Sequence, residues 1–455
     1  MLPRPDYRTP VQFGAFGRAA TLGVLIPVAA SAWPVWRAVR VEPIDAIRTG
    51  HLTAHPGRFT ELSRRIPTPR SSLQAIPLRN LLRTPRRTLL TAAGVGVAIA
   101  SLVATLGMLD SLGRAIDLSD AELTSGDPDR VLVQLTTLMA IDDPLVVSVI
   151  DHPTVGTADP GLRFPAVALD DGDDAFDLVI DTFDFESSVW SPAVLRADGA
   201  PVPEGLVIAG KAADDLGVGP GDSILVRHPR RGDDGLELVE SVVPIAAVHD
   251  SALRTFAYLD ASAARPLFGM PGVTNLLSVT PADDATAGEL QRALFGNEAV
   301  ASTLPVARLG EAFDEALEAF TGFLLVAAVA VITLALLIAF NAARIAVEER
   351  RREHATMQAF GLPVRSIIGM ITKESVVTGL LATLVGVAVG TLMLDWMLDS
   401  LASRTLPDFG IDRYVSPTTL AWAAGIGIVA ITVAPLFLVR RIRNMDLPST
   451  LRIME

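Results

Sequence analysis

The sequence predicts an α-helical multi-pass membrane protein with about five transmembrane helices and an α+β domain outside the membrane. Three observations predict it. Five apolar windows, at roughly 19–36, 89–109, 320–340, 375–398 and 417–439, each approach the ~20 residues that carry a helix across the hydrocarbon core. Two of them, LLTAAGVGVAIASLVATLGML and FTGFLLVAAVAVITLALLIAF, hold no charge at all, whereas a buried helix of a soluble protein would be shorter or amphipathic. Arginine and acid are also segregated along the chain.

That segregation sets the sides. Residues 37–87 hold eleven Arg against three acids, 341–373 hold five Arg and one Lys, and the tail from 440 holds four Arg. The positive-inside rule puts all three in the cytoplasm. The block 113–317 holds 12 basic and 35 acidic residues, which is consistent with the outside. The alternation closes with the N-terminus outside, five crossings and the C-terminus cytoplasmic, in a cell membrane.

Residues 1–50 contain the first window. Arg18 interrupts its start, Pro27 and Pro34 lie inside it, and its basic flank follows the apolar run, opposite to a cleaved signal peptide. It reads as the last span of a preceding module. Residues 51–77 form a Pro-broken, Arg-rich cytoplasmic linker. An interfacial amphipathic helix near 72–83 follows, its Arg side chains suited to anionic lipid. No aromatic or recognition helix accompanies the charge, so nucleic acid is not the expected partner. Residues 78–112 comprise that helix and a span.

The block 113–317 is expected to be the outer α+β domain. RVLVQL, GLVIAG, DSILVRH, SVVPIAAV, TFAYL and NLLSVT are β-leaning runs, and ATAGELQRALF is helical. From 311 to 359 there is no proline and one glycine, which predicts one continuous helix reaching from the domain through the membrane to the cytoplasm. A plain span with frayed ends is the alternative. Residues 318–455 form a three-helix domain. WPVWRAVRVEPIDAIR (33–48) is echoed by APLFLVRRIRNMDLPSTLR (434–452), as two copies of one module would be. A lone span before a full module suggests the C-terminal half of a longer two-module protein, or a shortened product.

Catalytic chemistry finds little support. There is no cysteine, which removes thiol catalysis and Cys-based metal sites, and a domain this long buries enough core without disulfides. Six His are scattered with no H-E-x-x-H. The acidic loop DDGDDAFD (170–177) lacks EF-hand spacing and reads as solvated. Residues 205–211 spell G-x-x-x-x-G-K, the opening of a phosphate loop, yet Ala212 stands where Ser or Thr must hold magnesium. The intervening Leu-Val-Ile-Ala suits a buried strand, so 205–222 is expected to run strand, short helix 211–216, turn, strand. No cofactor or metal is expected.

LRNLLRTPRRTLLTAAGVGVAIA (78–100), EERRREHATMQAFGLPVRSIIGMITKES (348–375) and GLVIAGKAADDLGVGPGDSILV together resemble the FtsX/MacB-like ABC-transporter permeases. The resemblance covers 78–452 as one four-span unit, with 15–50 as the remnant of another. Arg352, Glu353, Met357, Ala359 and Gly361 fall on the family's pattern, while His354 and Leu362-Pro363 depart from it. It implies a type VII permease without its own ATPase, served by a cytoplasmic ABC ATPase subunit that binds the ATP. The helix 344–359 with Phe360, Gly361 and Leu362 would dock that subunit; a merely solvated helix end is the other reading. The resemblance also implies a second permease module or copy, membrane lipids, and an extracellular or lipoprotein partner.

Gly94 with Ala98, and Gly386 with Gly390, have the small-xxx-small spacing of close helix packing, between permeases or within one bundle. Asp395 is placed at the outer interface and not in a transport site. The preferred function is to couple the ATPase to movement of the outer domain, for export or extraction of a lipid, lipoprotein, peptide or antimicrobial compound. A regulator of a cell-wall hydrolase, or a receptor-like protein without an ATPase, are the alternatives.

Overall fold

The computed structural model describes residues 13–39, 85–169, 175–198, 204–233, 235–404 and 407–433, and positions 436, 437 and 443. It forms two compact units, 1–68 and 69–455. The first contributes helix α1 (Phe13–Val39), whose apolar part is Phe16–Ala32 and which runs on through Pro27 and Pro34. The linker at 51–77, the interfacial helix near 72–83, the acidic loop at 170–174 and nearly all of the 434–452 echo lie outside the described residues.

In the second unit α2 (Pro85–Leu123) leads into the α+β domain. Its elements follow as β1 (Val131–Ala140), α3 (Pro144–Ile150), β2 (Val155–Gly161), β3 (Arg163–Leu169), β4 (Ala175–Phe183) and α4 (Ala193–Asp198). Then come β5 (Leu206–Ala209), α5 (Gly210–Leu216), β6 (Ser223–Gly232), β7 (Gly235–His249), β8 (Phe256–Asp260) and α6 (Ala261–Phe268). The domain closes with β9 (Val273–Pro281), α7 (Ala287–Leu294) and β10 (Val300–Pro305).

One layer is an antiparallel sheet in the order β10-β1-β9-β2, and the other a closed barrel in the order β3-β4-β8-β5-β7-β6. Alternation along β1 explains how one strand serves two cores. Val131, Val133 and Leu135 point to α3 and α7 residues, while Leu132 points the other way to Phe183, Trp190 and Tyr258. The helical stretch in ATAGELQRALF is α7, started by a capping box between Thr286 and Glu289. The residues 205–222 run strand, helix, turn, with all four residues of β5 buried and α5 ending at Gly217 in the left-handed region.

From β10 the chain enters α8 (Ala307–Glu349), α9 (Arg351–Ala359), α10 (Val364–Arg404) and α11 (Pro417–Val433). The single helix expected over 311–359 is corrected here. It begins four residues earlier and breaks at Arg350 (φ −100, ψ 18). At the break the Arg350 guanidinium reaches Glu374 on α10 at 2.7 Å, and α9 turns to bury His354 and Ala355. A charged run without an apolar stripe has no reason to continue straight when a buried face is available to the side.

Helices α2, α8 and α10 contain segments long and apolar enough to span a bilayer: Thr88–Leu123, Gly322–Glu349 and Val364–Leu401. The first and last sequence windows fall on shorter apolar helices, Phe16–Ala32 and Pro417–Val433. Outward-facing Phe323, Val326, Leu384, Leu392 and Trp422 form a surface that lipid accepts and water does not. Inside, α2 is the hub. Val95, Ile99 and Val103 meet Ala328 and Ala339 of α8, Ala382 of α10 and Ala423 of α11.

Close approach sets the sharpest packing constraint. A Cβ at Gly386 would lie 2.7 Å from Ile99 Cβ and 2.8 Å from Gly96 O, and one at Gly390 would lie 2.9 Å from Ala100 O. Both obstacles include backbone, so side-chain adjustment cannot relieve them. Gly386→Val is therefore expected to destabilise the bundle by ~1–3 kcal/mol, the usual range for overpacking. Gly369→Ala, on the same helix with nothing within 4 Å, is expected to be tolerated. Thermal unfolding of the two variants in one detergent checks the contrast.

Candidate functional site

The sequence-derived residues gather at one end of the bundle, in an elbow formed by α9 and the turn that follows. Phe360 N–H donates to Thr356 O, Gly361 N–H to Gln358 O at 2.9 Å and Leu362 N–H to Met357 O at 3.0 Å. This is a Schellman closure, with Gly361 at φ +84 in the position that a Cβ would strain. The closure turns Phe360 outward, 82 % exposed, beside exposed Glu353 and Ala359, while Met357 and Leu362 are half-buried. Arg352 lies in α9, but its side chain is outside the described residues. The elbow thus presents an acid, a bare aromatic ring and a rigid turn, tied to α10 by Arg350 and Glu374.

The small residues are distributed differently from a single shared interface. Gly386 and Gly390 pack on 96–103 of α2, Gly94 packs on Ile338 of α8, and Ala98 is buried. These contacts all lie within one chain.

At the opposite end is a neck that the sequence did not reveal. The C-terminal end of α2 is held by groups of the α+β domain. Trp190 Nε1–H donates to Glu122 O at 3.0 Å, and Arg130 Nη2 donates to Leu123 O at 2.9 Å. A cation and an indole thereby satisfy carbonyls that a helix end leaves open. Ala193 N–H reaches Glu122 Oε2 at 3.1 Å, and Ala252 N–H reaches Ser119 Oγ at 2.9 Å.

The segment between α10 and α11 completes the neck. Tyr414 N–H donates to Ser111 Oγ at 3.0 Å and Ser416 N–H to Asp110 Oδ2 at 2.8 Å, which fixes it to α2. Arg413 pairs with Asp395 at 2.9 Å, so this acid is engaged at the outer end of α10. On the domain side, Arg254 N–H donates to Asp408 O at 2.9 Å and Gly410 N–H to Ala252 O at 2.7 Å. The Arg254 guanidinium clamps Asp215 of α5 and Asp408 together. Lys211 pairs with Asp215, and a Cβ at Gly410 would meet Lys211 Cβ at 2.7 Å.

Among the described residues no group of three or more His, Cys, Asp or Glu could hold a metal ion. His249 is structural. Its Nε2–H donates to Phe256 O at 3.1 Å, its Nδ1 accepts from Ser251 N–H at 3.2 Å, and burial lowers its pKa to about 4.

Residues 325–447, which take in the elbow, match the family of FtsX-like permease C-terminal domains. An uncharacterized ABC transporter permease protein of Mycobacterium tuberculosis is 25% identical over 337 residues, 73% of this chain and 38% of that protein. The chain therefore matches well under half of that relative's length. Among solved structures, the periplasmic region of MacB from Actinobacillus actinomycetemcomitans is similar at 10% identity and a TM-score of 0.25, over 42% of this chain and 94% of that one. The extracellular domain of the noncanonic ABC-type transporter YknZ from Gram-positive bacteria gives 11% and 0.23, over 38% and 97%. The chain carries an FtsX-like permease domain and is similar to ABC transporter permeases.

Two outcomes follow from the neck. Asp408→Ala is expected to speed amide exchange at Arg254 and Gly410 up to about fivefold, the loss of a clamp worth at most ~1 kcal/mol for a partly exposed ion pair. Gly410→Val should do the same by steric means, with the β6–β7 hairpin unchanged in both; hydrogen exchange by mass spectrometry reads all three sites. For His249, the ordinary pKa near 6.5 falls to about 4 on folding. The unfolded chain then binds more protons between those values, so stability is present above pH ~6.5 and lost as pH falls towards ~4. His249→Asn, read by unfolding temperature against pH, is expected to remove part of that slope.

Proposed function

We propose that the chain is the permease subunit of an ABC transporter, and that it works by moving its outer domain instead of opening a central pore. The observation that carries this reading is the path of α2 and α8. Each leaves the bundle without a break and enters the domain on strands that are direct neighbours, with Val131 of β1 opposite Pro305 of β10. At 1.5 Å per residue the 43-residue α8 is about 65 Å long, against a hydrocarbon core of ~30 Å. One rigid rod thus reaches from the elbow to the domain.

In this reading the Arg-rich segments are cytoplasmic and the acidic domain lies outside. A separate ATPase binds ATP and docks at the elbow, where Glu353 gives register and Phe360 enters a pocket of the partner. Dimerisation of two ATPases then tilts α8, and the β10–β1 pair transmits the tilt to the sheet. A second permease module or copy completes the assembly. The transported material is a lipid, a lipoprotein, a peptide or an antimicrobial compound handled at the outer face.

The chain lacks cysteine, so site-directed labels report only where they are placed. Co-purification of an ATP-hydrolysing subunit is expected with the wild type, falling about tenfold or more in Glu353→Arg and in Phe360→Ala. Spin labels at Ala359→Cys and Arg227→Cys should change separation when the complex is trapped with ATP and vanadate. Equal ATPase recovery with both variants, or an unchanged distance, overturns the docking or the coupling respectively.

A further inference from the structure

The neck encloses a cavity of about 100 Å³ that the coupling role leaves without a purpose. Its walls are apolar: Ile116 and Leu123 of α2, Leu132, Phe183, Phe256 and Phe409. Three charged side chains also line it: Arg130, Arg163 and Asp181. Arg163 spends its charge on Asp181, donating through Nε at 2.6 Å and through Nη2 at 2.5 Å.

Arg130 makes no direct ion pair among the described residues, although the Asp181 and Glu122 carboxylates act on it through space. It is 2 % exposed, its Nη2 caps α2 and its Nη1 touches Ser278 Oγ at 3.4 Å. The cation lies over Trp190, 4.8 Å from the ring centroid, and its Nε–H finds no acceptor among the described residues. The nearest further carboxylate, Glu122, is not part of the lining and turns one oxygen to Ala193 N–H. Desolvation lowers the Arg130 pKa to about 10, so the guanidinium is charged at neutral pH. A buried cation with an open donor, in a lining that is mostly apolar but also carries Ser119, Ser251 and Tyr258, is the complement of an anion with an apolar body.

We propose that this cavity binds the anionic head and first carbons of a hydrocarbon-chain amphiphile, with a carboxylate or phosphate on Arg130 and apolar carbons against Leu123, Leu132 and Phe183. The volume is below the ~150 Å³ that admits benzene in an engineered cavity, so a short segment of chain fits inside and the rest leaves through the mouth at Leu304, 40 % exposed. The cavity lies on α2 roughly 10–20 Å beyond the end of the apolar run at Leu109, which is the level of an amphiphile drawn out of the membrane interface. This names a class of substrate for the proposed permease and rests on that reading only for where the ligand comes from.

The test uses the full chain in nanodiscs of phosphatidylcholine, titrated with octanoate by calorimetry at neutral pH. Saturable binding is expected, with octanol and octylamine at least about tenfold weaker. Arg130→Met should lose about tenfold or more. Because Arg130 also caps a helix, Leu304→Trp provides a second variant, blocking the mouth from a partly exposed position. Octanol binding as tightly as octanoate, equal affinity in Leu304→Trp, or no saturation in the millimolar range would each overturn the proposal. Weaker octanoate binding in discs containing phosphatidylglycerol supports the site with a bilayer lipid as its source. Unchanged binding supports it with a free carboxylate as its source. No ATPase enters the assay, so a negative result leaves the coupling reading standing.

Discussion

The pairing of β1 with β10 is the constraint on which the second unit depends. Val131 lies opposite Pro305, and each residue is a few positions from a long helix: α2 ends at Leu123 and α8 begins at Ala307. Two rods that enter a sheet on adjacent hydrogen-bonded strands cannot move independently at that level. A relative shift of the rods must either shear this ladder or carry the whole sheet with it. On β1 the ladder is buried on both faces, with Val131 and Val133 in one core and Leu132 in the other, while Ala301, Ser302 and Leu304 of β10 are exposed, so shear would disturb the two cores that β1 serves. Carrying the sheet is the softer response. The fold thereby favours rigid displacement of the domain over internal distortion.

A long helix that joins the bundle to the domain also needs a fixed end, and the end of a helix is its weakest part. Its last carbonyls lack intrahelical partners. Here Trp190 and Arg130 supply them from elements that belong to the domain, so α2 ends inside the domain instead of beneath it. The same logic explains the loop before α11. By bonding to Ser111 and Asp110 on one side and to Ala252 and Arg254 on the other, it prevents the neck from hinging about α2 alone.

The membrane helices and the domain class were legible in the sequence because their signals are local. All six β-leaning runs lie on strands, and the capping box of α7 can be read from Thr286 and Glu289. Strands β2, β3, β4 and β10 are not among those runs: VGTADPG and VASTLP are short and carry Pro, Gly or small polar residues, Pro165 interrupts RFPAVAL, and Asp177 and Asp181 interrupt AFDLVIDTF. The break at Arg350 escaped because no proline or glycine marks it; a charge on α10 and a buried His354 do. The neck was illegible for a different reason. Many of its bonds join residues far apart, 68 positions for Trp190 with Glu122 and 306 for Asp110 with Ser416, and no periodicity encodes such pairs.

The false phosphate loop at 205–211 shows how one motif can serve a different constraint. Its first glycine adopts φ +139 against the backbone of Pro244, which only a residue without Cβ allows. Its four apolar residues are a barrel strand, buried to the last atom row, with no loop left to wrap an anion. Lys211 does stand at the start of a helix, yet it pairs with Asp215 and lies beneath Gly410. The glycine at 410 is needed because the segment between α10 and α11 crosses at the distance of a Cβ. The lysine that a nucleotide would use is thus taken up in joining the barrel to the segment between α10 and α11.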